Sequence, residues 1–362
     1  MSQKSQIELP LAGVRVLDLS LTLPGPYASY LLMQLGAQVT RVVPPWGDPA
    51  QEFLPALDWI HDGKETLRLN LKHDHDRRIV LTQAKTSDVV LEGFRPGVAA
   101  RLGVDAMAIA KVNDRVVYCS LSGYGQTGSL HSTPGHDANY QSLAGVVDLM
   151  STGRGLELGV HPTAPLSDLA MSVFAVVSVL AGLRHRDQVG RGSYVDIAAA
   201  DSIVSLLGPY IHARGFGQIL TPELPSYGAF QTRDGHWLTL GVIYEQHFWT
   251  RLVSEFNLPP KWAEFDVSQR ALSLHEIRPE IAAQIGSMTR EECLARLNAS
   301  DIPAMGVQTT REVLFGPHFQ ERGVVRVDGD RRDIGLPFIL QDLDHLVSMA
   351  DDRSSAVNDR VG

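Results

Sequence analysis

VRVLDLSLTLPGPYASYLLMQLGAQVTRVV, residues 14–43, decides the fold class. Residues 14–19 are a branched, apolar run of the kind that forms a strand buried on both faces. The segment after Pro26 has the length and apolar content of a helix and stops at Gly36, and residues 38–43 supply a second strand. Strand, helix and strand at this spacing make a βαβ unit, so the two strands are expected side by side and parallel. Between the first strand and the helix lie Leu23-Pro24-Gly25-Pro26. The prolines stiffen this turn, and Gly25 lets the backbone pass close to a neighbour or a ligand. No GxGxxG fingerprint stands here, so a nicotinamide site has no motif behind it. The turn serves either as plain structure or as the edge of a ligand cleft, because α/β sheets bind ligands beyond their strand ends.

The same grammar recurs downstream. Residues 88–91 and 116–121 read as further strands, each left through glycine. The first exit is Phe94-Arg95-Pro96-Gly97, followed by an alanine-rich helix through Arg101; the second is SGYGQTG, residues 122–128. Glycine and proline punctuate residues 123–135, which are expected to form an active-site wall. A long helix is expected from Asp168 to about Arg186, capped by Ser167 or Asp168 and broken at Gly190-Arg191-Gly192. After an apolar segment at 194–207, composition breaks at Pro222–Pro225. Residues 227–230 and 237–242 then flank Arg233-Asp234-Gly235 as a hairpin, with helices near 245–256 and 290–297. The expected division is 1–205 for a first, larger domain, 206–225 for a linker, 226–323 for a smaller α+β domain, and 324–362 for a connector or a return to the larger one.

Composition narrows the function classes. A chain of 362 residues with 44% hydrophobic and 20% charged residues has material for two folded domains. The 41 acidic against 32 basic residues give a net charge of −9, which argues against nucleic acid or a lipid surface as a main partner without forbidding a small anionic ligand. Only Cys119 and Cys293 are present, without a CxxC pair, and no leader precedes the first apolar run, so a reducing, cytoplasmic setting is expected. The apolar stretch 171–183 falls short of the ~20 residues of a membrane span and reads as a buried helix.

The chemistry-bearing candidates cluster near predicted element ends. His136-Asp137 stands beyond the second glycine-rich exit, and Asp168 opens the long helix. Histidine titrates near neutrality, and a fixed aspartate can act as base or nucleophile, although from the residues alone capping, hydrogen bonding or surface placement is the commoner role for such groups. Arg41, Lys72, Arg95 and Arg101 lie near predicted element ends, where cationic side chains can reach phosphates, although from the residues alone solvated surface charge is the better reading for each, and Leu71 and Phe94 are more often packing than adenine contacts. His61, His73 and His75 lack the spacing of a metal site.

The ordered series LAGVRVLDLS, LPGPYA, LGAQV, LNLK, LEGFRPGVAARLG, VNDRVVYCSLSGYGQTG, GHDANYQSLAG, PLSDLA, RGSYVDIA, YGAFQTRDG and GPHFQERG, between residues 11 and 323, resembles the class III coenzyme A-transferase (CaiB/BaiF) family. Within it the pattern is similar to the α-methylacyl-CoA racemase branch, because GHDANY carries His136 where transferases commonly carry tyrosine. The resemblance implies an α/β fold with a Rossmann-like large domain and a smaller α+β domain, assembled as an interlocked homodimer. It implies coenzyme A as a substrate moiety, bound through Arg41, Leu71, Lys72, Phe94, Arg95 and Arg101, with no redox or metal cofactor. His136 and Asp168 match the racemase acid/base pair that moves an α-proton through an enolate, and Asp137 matches the acidic residue beside that histidine. Backbone N–H groups at the start of the Asp168 helix are the expected donors to the enolate oxygen.

Two other readings stand beside this one. In the first, Asp168 attacks the thioester, forms an acyl anhydride and passes coenzyme A to a carboxylic acid acceptor. In the second, the chain binds coenzyme A without catalysis. The sequence also departs from the family at Val43-Pro44, where an acidic residue and arginine are usual. Tyr244 takes the place of a racemase glutamate, with Glu245 one position on as its substitute, and the YGAF at Tyr227 is closer to transferases.

Overall fold

A computed structural model of the chain describes residues 8–150, 164–218, 223–340 and 343. Residues 219–222 of the expected linker, with 341–342 and 344–362 of the tail, lie outside the described residues. Two compact units divide the chain, one made of residues 1–212 and 333–362, the other of residues 213–332.

In the first unit, β1 (Arg15–Asp18), β2 (Gln38–Val43), β3 (Glu65–Arg68), β4 (Val89–Glu92), β5 (Val117–Ser122) and β6 (Ser193–Ala198) form one sheet. Their order is β3-β2-β1-β4-β5-β6, and every neighbouring pair is parallel. This is the doubly wound order, in which connections leave β1 and β4 in opposite directions and open a crevice at their carboxyl ends. Val16, Leu17, Val89, Val90 and Leu91 are all nearly inaccessible, which is why these strands read as unbroken apolar runs.

The helix Pro24–Gln34 starts with prolines in the turn that needs no N–H donors and ends before Gly36, whose φ of 107° reverses the chain into β2. The apolar segment after Gly192 splits into β6 and the helix Ala199–Leu206, so it is not one element. Strand β3 ends at Arg68, and Asn70 turns the chain beyond it by accepting the Lys72 N–H at 3.2 Å.

The long helix runs from Leu166 to Val189, 24 residues, well beyond its central apolar stretch. By length and composition it could cross a membrane. Here it is a core helix: Met171, Ala175, Val176, Val179 and Leu183 join the cluster that holds Val16, Val89 and Val117. Each buried branched side chain of this kind contributes ~1.5–3 kcal/mol. Gly182 sets the close approach, since a Cβ there would lie 2.8 Å from Val117 Cγ1. The two cysteines are free and buried.

The second unit carries the expected hairpin. Strands β7 (Tyr227–Gln231) and β8 (Trp237–Gly241) pair antiparallel with Phe230 opposite Leu238, and β9 (Ala304–Gly306) completes the sheet beside β8. The turn is fixed by Thr232 Oγ1 donating to Asp234 Oδ1 at 2.6 Å and by Gly235 at φ 78°. Trp249, Phe256, Trp262, Ile277, Ile281 and Ile285 fill its core. The architecture is thus a larger unit on a parallel sheet and a smaller one on an antiparallel sheet.

Candidate active site

Three loops meet above the carboxyl ends of β1, β4 and β5 and enclose a cleft of 520 Å³. The first is Ser20–Gly25. Gly25 is dictated by crowding, because a Cβ there would fall 1.9 Å from Ser20 Oγ. Beneath it Asp18 is buried and accepts the Ser20 N–H at 2.9 Å and the Ser29 hydroxyl at 2.5 Å. Lys64 Nζ reaches Ser29 Oγ at 2.8 Å and Pro26 O at 2.7 Å, so the helix start is clamped from below. Burial draws the Lys64 ammonium down to about 8. Sequence reading missed this support, whose members are too far apart in the chain to form a motif.

The second loop follows β4 and contributes Phe94 and Arg95 to the cleft, and the helix Val98–Leu102 after it adds Arg101. The third, after β5, contributes Gly123, Tyr124 and residues 131–137. Tyr140 organises it: its hydroxyl donates to Gly135 O at 2.5 Å, and its ring meets Tyr124 edge-on at 5.0 Å. A Cβ on Gly123 would lie 2.4 Å from Tyr140 Oη. The wall expected from the glycine spacing therefore has a physical cause, which is two tyrosines packed against glycine.

His136, Asp137 and Asp168 all line this cleft. His136 is exposed at the entry to the helix Asp137–Leu143, where Asn139 Oδ1 accepts its N–H at 3.0 Å. Asp168 occupies the first turn of Leu166–Val189 but does not cap it. The cap comes from across the chain: Asp137 Oδ1 accepts the N–H groups of Ser167 at 2.8 Å and Asp168 at 3.2 Å. This corrects two expectations. Neither Ser167 nor Asp168 is the cap, and those two backbone donors are engaged by Asp137 rather than open to an enolate oxygen. Burial, reinforced by the charge of Asp137, raises the Asp168 carboxyl from 3.8 to about 7. Burial, with the charge of Asp168 next, also raises the Tyr140 phenol to about 12.

Leu71 and Lys72 lie elsewhere, in a smaller pocket of 210 Å³ with Pro44, Trp46 and Leu102. Phe94 and Leu21 line both spaces, so the pocket and the cleft adjoin. Arg41 lines neither: it is buried and paired with Asp48 at 3.3 Å. Tyr244 and Glu245 belong to the second unit. Tyr244 is 72% exposed, whereas Glu245 turns inward, its Oε2 buried with no hydrogen-bond partner among the described residues. Among the described residues no group of three or more His, Cys, Asp or Glu side chains is placed to hold a metal ion.

Comparison with known proteins bears on this arrangement. The CoA-transferase family III pattern matches residues 11–345. The chain is 29% identical over 357 residues to the succinyl-CoA–L-malate CoA-transferase beta subunit of Chloroflexus aurantiacus, covering 92% of this chain and 86% of that one. It is 31% identical over 336 residues to the succinyl-CoA:mesaconate CoA-transferase of Haloarcula marismortui, covering 86% and 84%. The α-methylacyl-CoA racemase of Mus musculus is also similar, 29% identical over 334 residues, covering 89% and 84%. Among solved structures, Rv3272 of M. tuberculosis superposes with a TM-score of 0.81 at 27% identity, covering 92% of this chain and 94% of that one. A family pattern spanning nearly the whole chain, on a doubly wound sheet whose cleft gathers its GFRPG, GHDANY and PLSDLA motifs, leads to one statement: this chain belongs to the CoA-transferase family III and is an enzyme of that family.

Proposed function

We propose that the protein transfers coenzyme A between an acyl-CoA and a carboxylic acid, with Asp168 as the group that carries the acyl chain. The observation behind this reading is the site itself: a poorly solvated carboxylate, half ionised near neutrality, faces a cleft whose wall carries Arg95 and Arg101. The relatives with transferase names weigh in the same direction, and they favour transfer over the racemase reading.

Asp168 attacks the thioester carbonyl, a C–O bond forms, the C–S bond breaks, and coenzyme A leaves as thiolate. The thiolate then attacks the Asp168 carbonyl of the anhydride, releasing the first acid and leaving an aspartyl thioester. The acceptor carboxylate attacks that thioester in turn, and the thiolate released takes the new acyl group from Asp168, which is regenerated. Leu71, Lys72 and Phe94 are the proposed adenosine-end contacts, with Arg95 and Arg101 nearer the phosphates and pantetheine. A homodimer fits the exposed apolar side chains Val173, Val177 and Leu180 on the long helix.

A second reading keeps α-proton exchange, because His136 shares the cleft with Asp168. One experiment separates the two. The enzyme is incubated with succinyl-CoA and a panel of carboxylic acids, with hydroxylamine as trap, and in parallel with an α-methylacyl-CoA in deuterated solvent. Transfer of coenzyme A with hydroxylamine trapping at Asp168, both lost in Asp168→Ala, is the expected result. α-Deuteration and inversion without transfer would establish the second reading instead.

A further inference from the structure

Glu92 ends β4 with only 3% of its surface exposed, and it lines neither the cleft nor the adjoining pocket. Burying a carboxylate at a strand end is costly unless hydrogen bonds hold it. Burial raises its titration above the ordinary range, and bonds from Ser120 and the Phe94 amide oppose that rise. Those bonds go to two different walls of the site. Oε2 accepts the Phe94 N–H at 2.8 Å, at the turn whose side chains Phe94 and Arg95 face the cleft. Oε1 bonds the Ser120 hydroxyl on β5. Ser120 Oγ in turn accepts from Gln126 Nε2 at 2.9 Å. The Gln126 N–H is held by Asp196 of β6 at 3.0 Å, which anchors the glycine-rich loop that carries Tyr124. Gln126, like Glu92, lines neither space.

We propose that Glu92 is a positioning residue which, through Ser120 and Gln126, sets the Phe94–Arg95 turn and the glycine-rich loop as one piece, so that coenzyme A affinity depends on Gln126, a residue outside the binding cleft. This rests on the proposed function, since it takes coenzyme A as the ligand. A side chain that served only to fill space would show no such reach.

The test is calorimetric titration of the full chain with coenzyme A, after each variant is shown to melt cooperatively like wild type. Gln126→Ala loses one hydrogen bond of the chain and is expected to weaken coenzyme A ~5-fold. Glu92→Gln, which exchanges charge-assisted bonds for neutral ones, is expected to weaken it ~10-fold. In a Ser120→Ala background the Gln126→Ala change should have no further effect, because the link to Glu92 is already cut. In transfer kinetics both variants should raise KM for the acyl-CoA more than they lower kcat. Wild-type affinity in Gln126→Ala, or independent effects of Ser120→Ala and Gln126→Ala, would overturn the proposal while leaving the functional reading intact. A wild-type protein that does not bind coenzyme A would remove both.

Discussion

Replacing Asp168 with Asn should make the protein more stable, and more so as pH rises. In the folded chain the carboxyl titrates at about 7, chiefly through burial, against an ordinary value of 3.8. The folded state therefore holds a proton that the unfolded state releases, and stability falls as pH climbs from 3.8 to about 7. At 1.36 kcal/mol per pH unit the cost is about 1.7 kcal/mol at pH 5 and about 4 kcal/mol at pH 8. Asparagine has nearly the same shape and no charge to desolvate, so it escapes this cost. Urea unfolding at pH 5 and pH 8, at one fixed protein concentration, should show the advantage of Asp168→Asn growing by ~2–3 kcal/mol between them. Transfer activity should be lost in the same variant. An advantage that stays flat with pH, or a destabilised variant at pH 8, would refute the reasoning, because it would mean that Asp168 is ionised without penalty in the fold.

Asp137→Asn should lower the pH midpoint of hydroxylamine trapping at Asp168, since it removes the charge that adds to burial while leaving Oδ1 to cap the helix; an unmoved midpoint would show that burial acts alone. Lys72→Ala and Arg101→Ala should each weaken coenzyme A ~3–10-fold, more than their Gln variants and most at low salt, as calorimetry at several ionic strengths would reveal. Gly123→Ala places a Cβ 2.4 Å from Tyr140 Oη and should destabilise the first unit by ~1–3 kcal/mol, read by urea unfolding.

The fold was legible because burial on both faces leaves a plain mark. The runs 14–19, 38–43, 88–91 and 116–121 each overlap a strand of the parallel sheet to within a residue at either end, and the hairpin residues pair as their turn chemistry implies. What the pattern could not resolve is where one apolar run changes type. Residues 194–207 read as one apolar segment, yet β6 gives way to a helix at Ala199, and both pieces pack against the long helix. Which candidate residues share a space follows the sequence order of their motifs, whereas the contacts that hold them do not show in it. His136, Asp137, Phe94, Arg95, Arg101 and Asp168 converge on one cleft, with Lys72 and Leu71 in the pocket beside it. Arg41 has the same local look as the other cations, but Asp48 and burial withdraw it from both spaces. The capping role of Asp137 and the clamp of Lys64 on Ser29 depend on contacts 30 and 35 residues apart, which no local pattern encodes.

That wiring bears on the reaction. A carboxylate in the first turn of a long helix ordinarily gains from free amides and from the helix dipole, and both lower its pKa. At Asp168 the nearby amides already serve Asp137, so the dipole is answered by a neighbour and Asp168 is left half-buried beside a second negative charge. The result is a carboxylate that is costly to keep ionised. On the proposed path this cost favours chemistry. Attack on a thioester converts the Asp168 anion into a neutral anhydride, and the negative charge departs with the coenzyme A thiolate toward a wall that carries Arg95 and Arg101. The desolvation that destabilises the free enzyme at pH 8 is absent from the acyl-enzyme, so part of the ~4 kcal/mol is returned as the new bond forms. A better-solvated aspartate, with its own amides to lean on, would hold its charge more comfortably and attack more slowly.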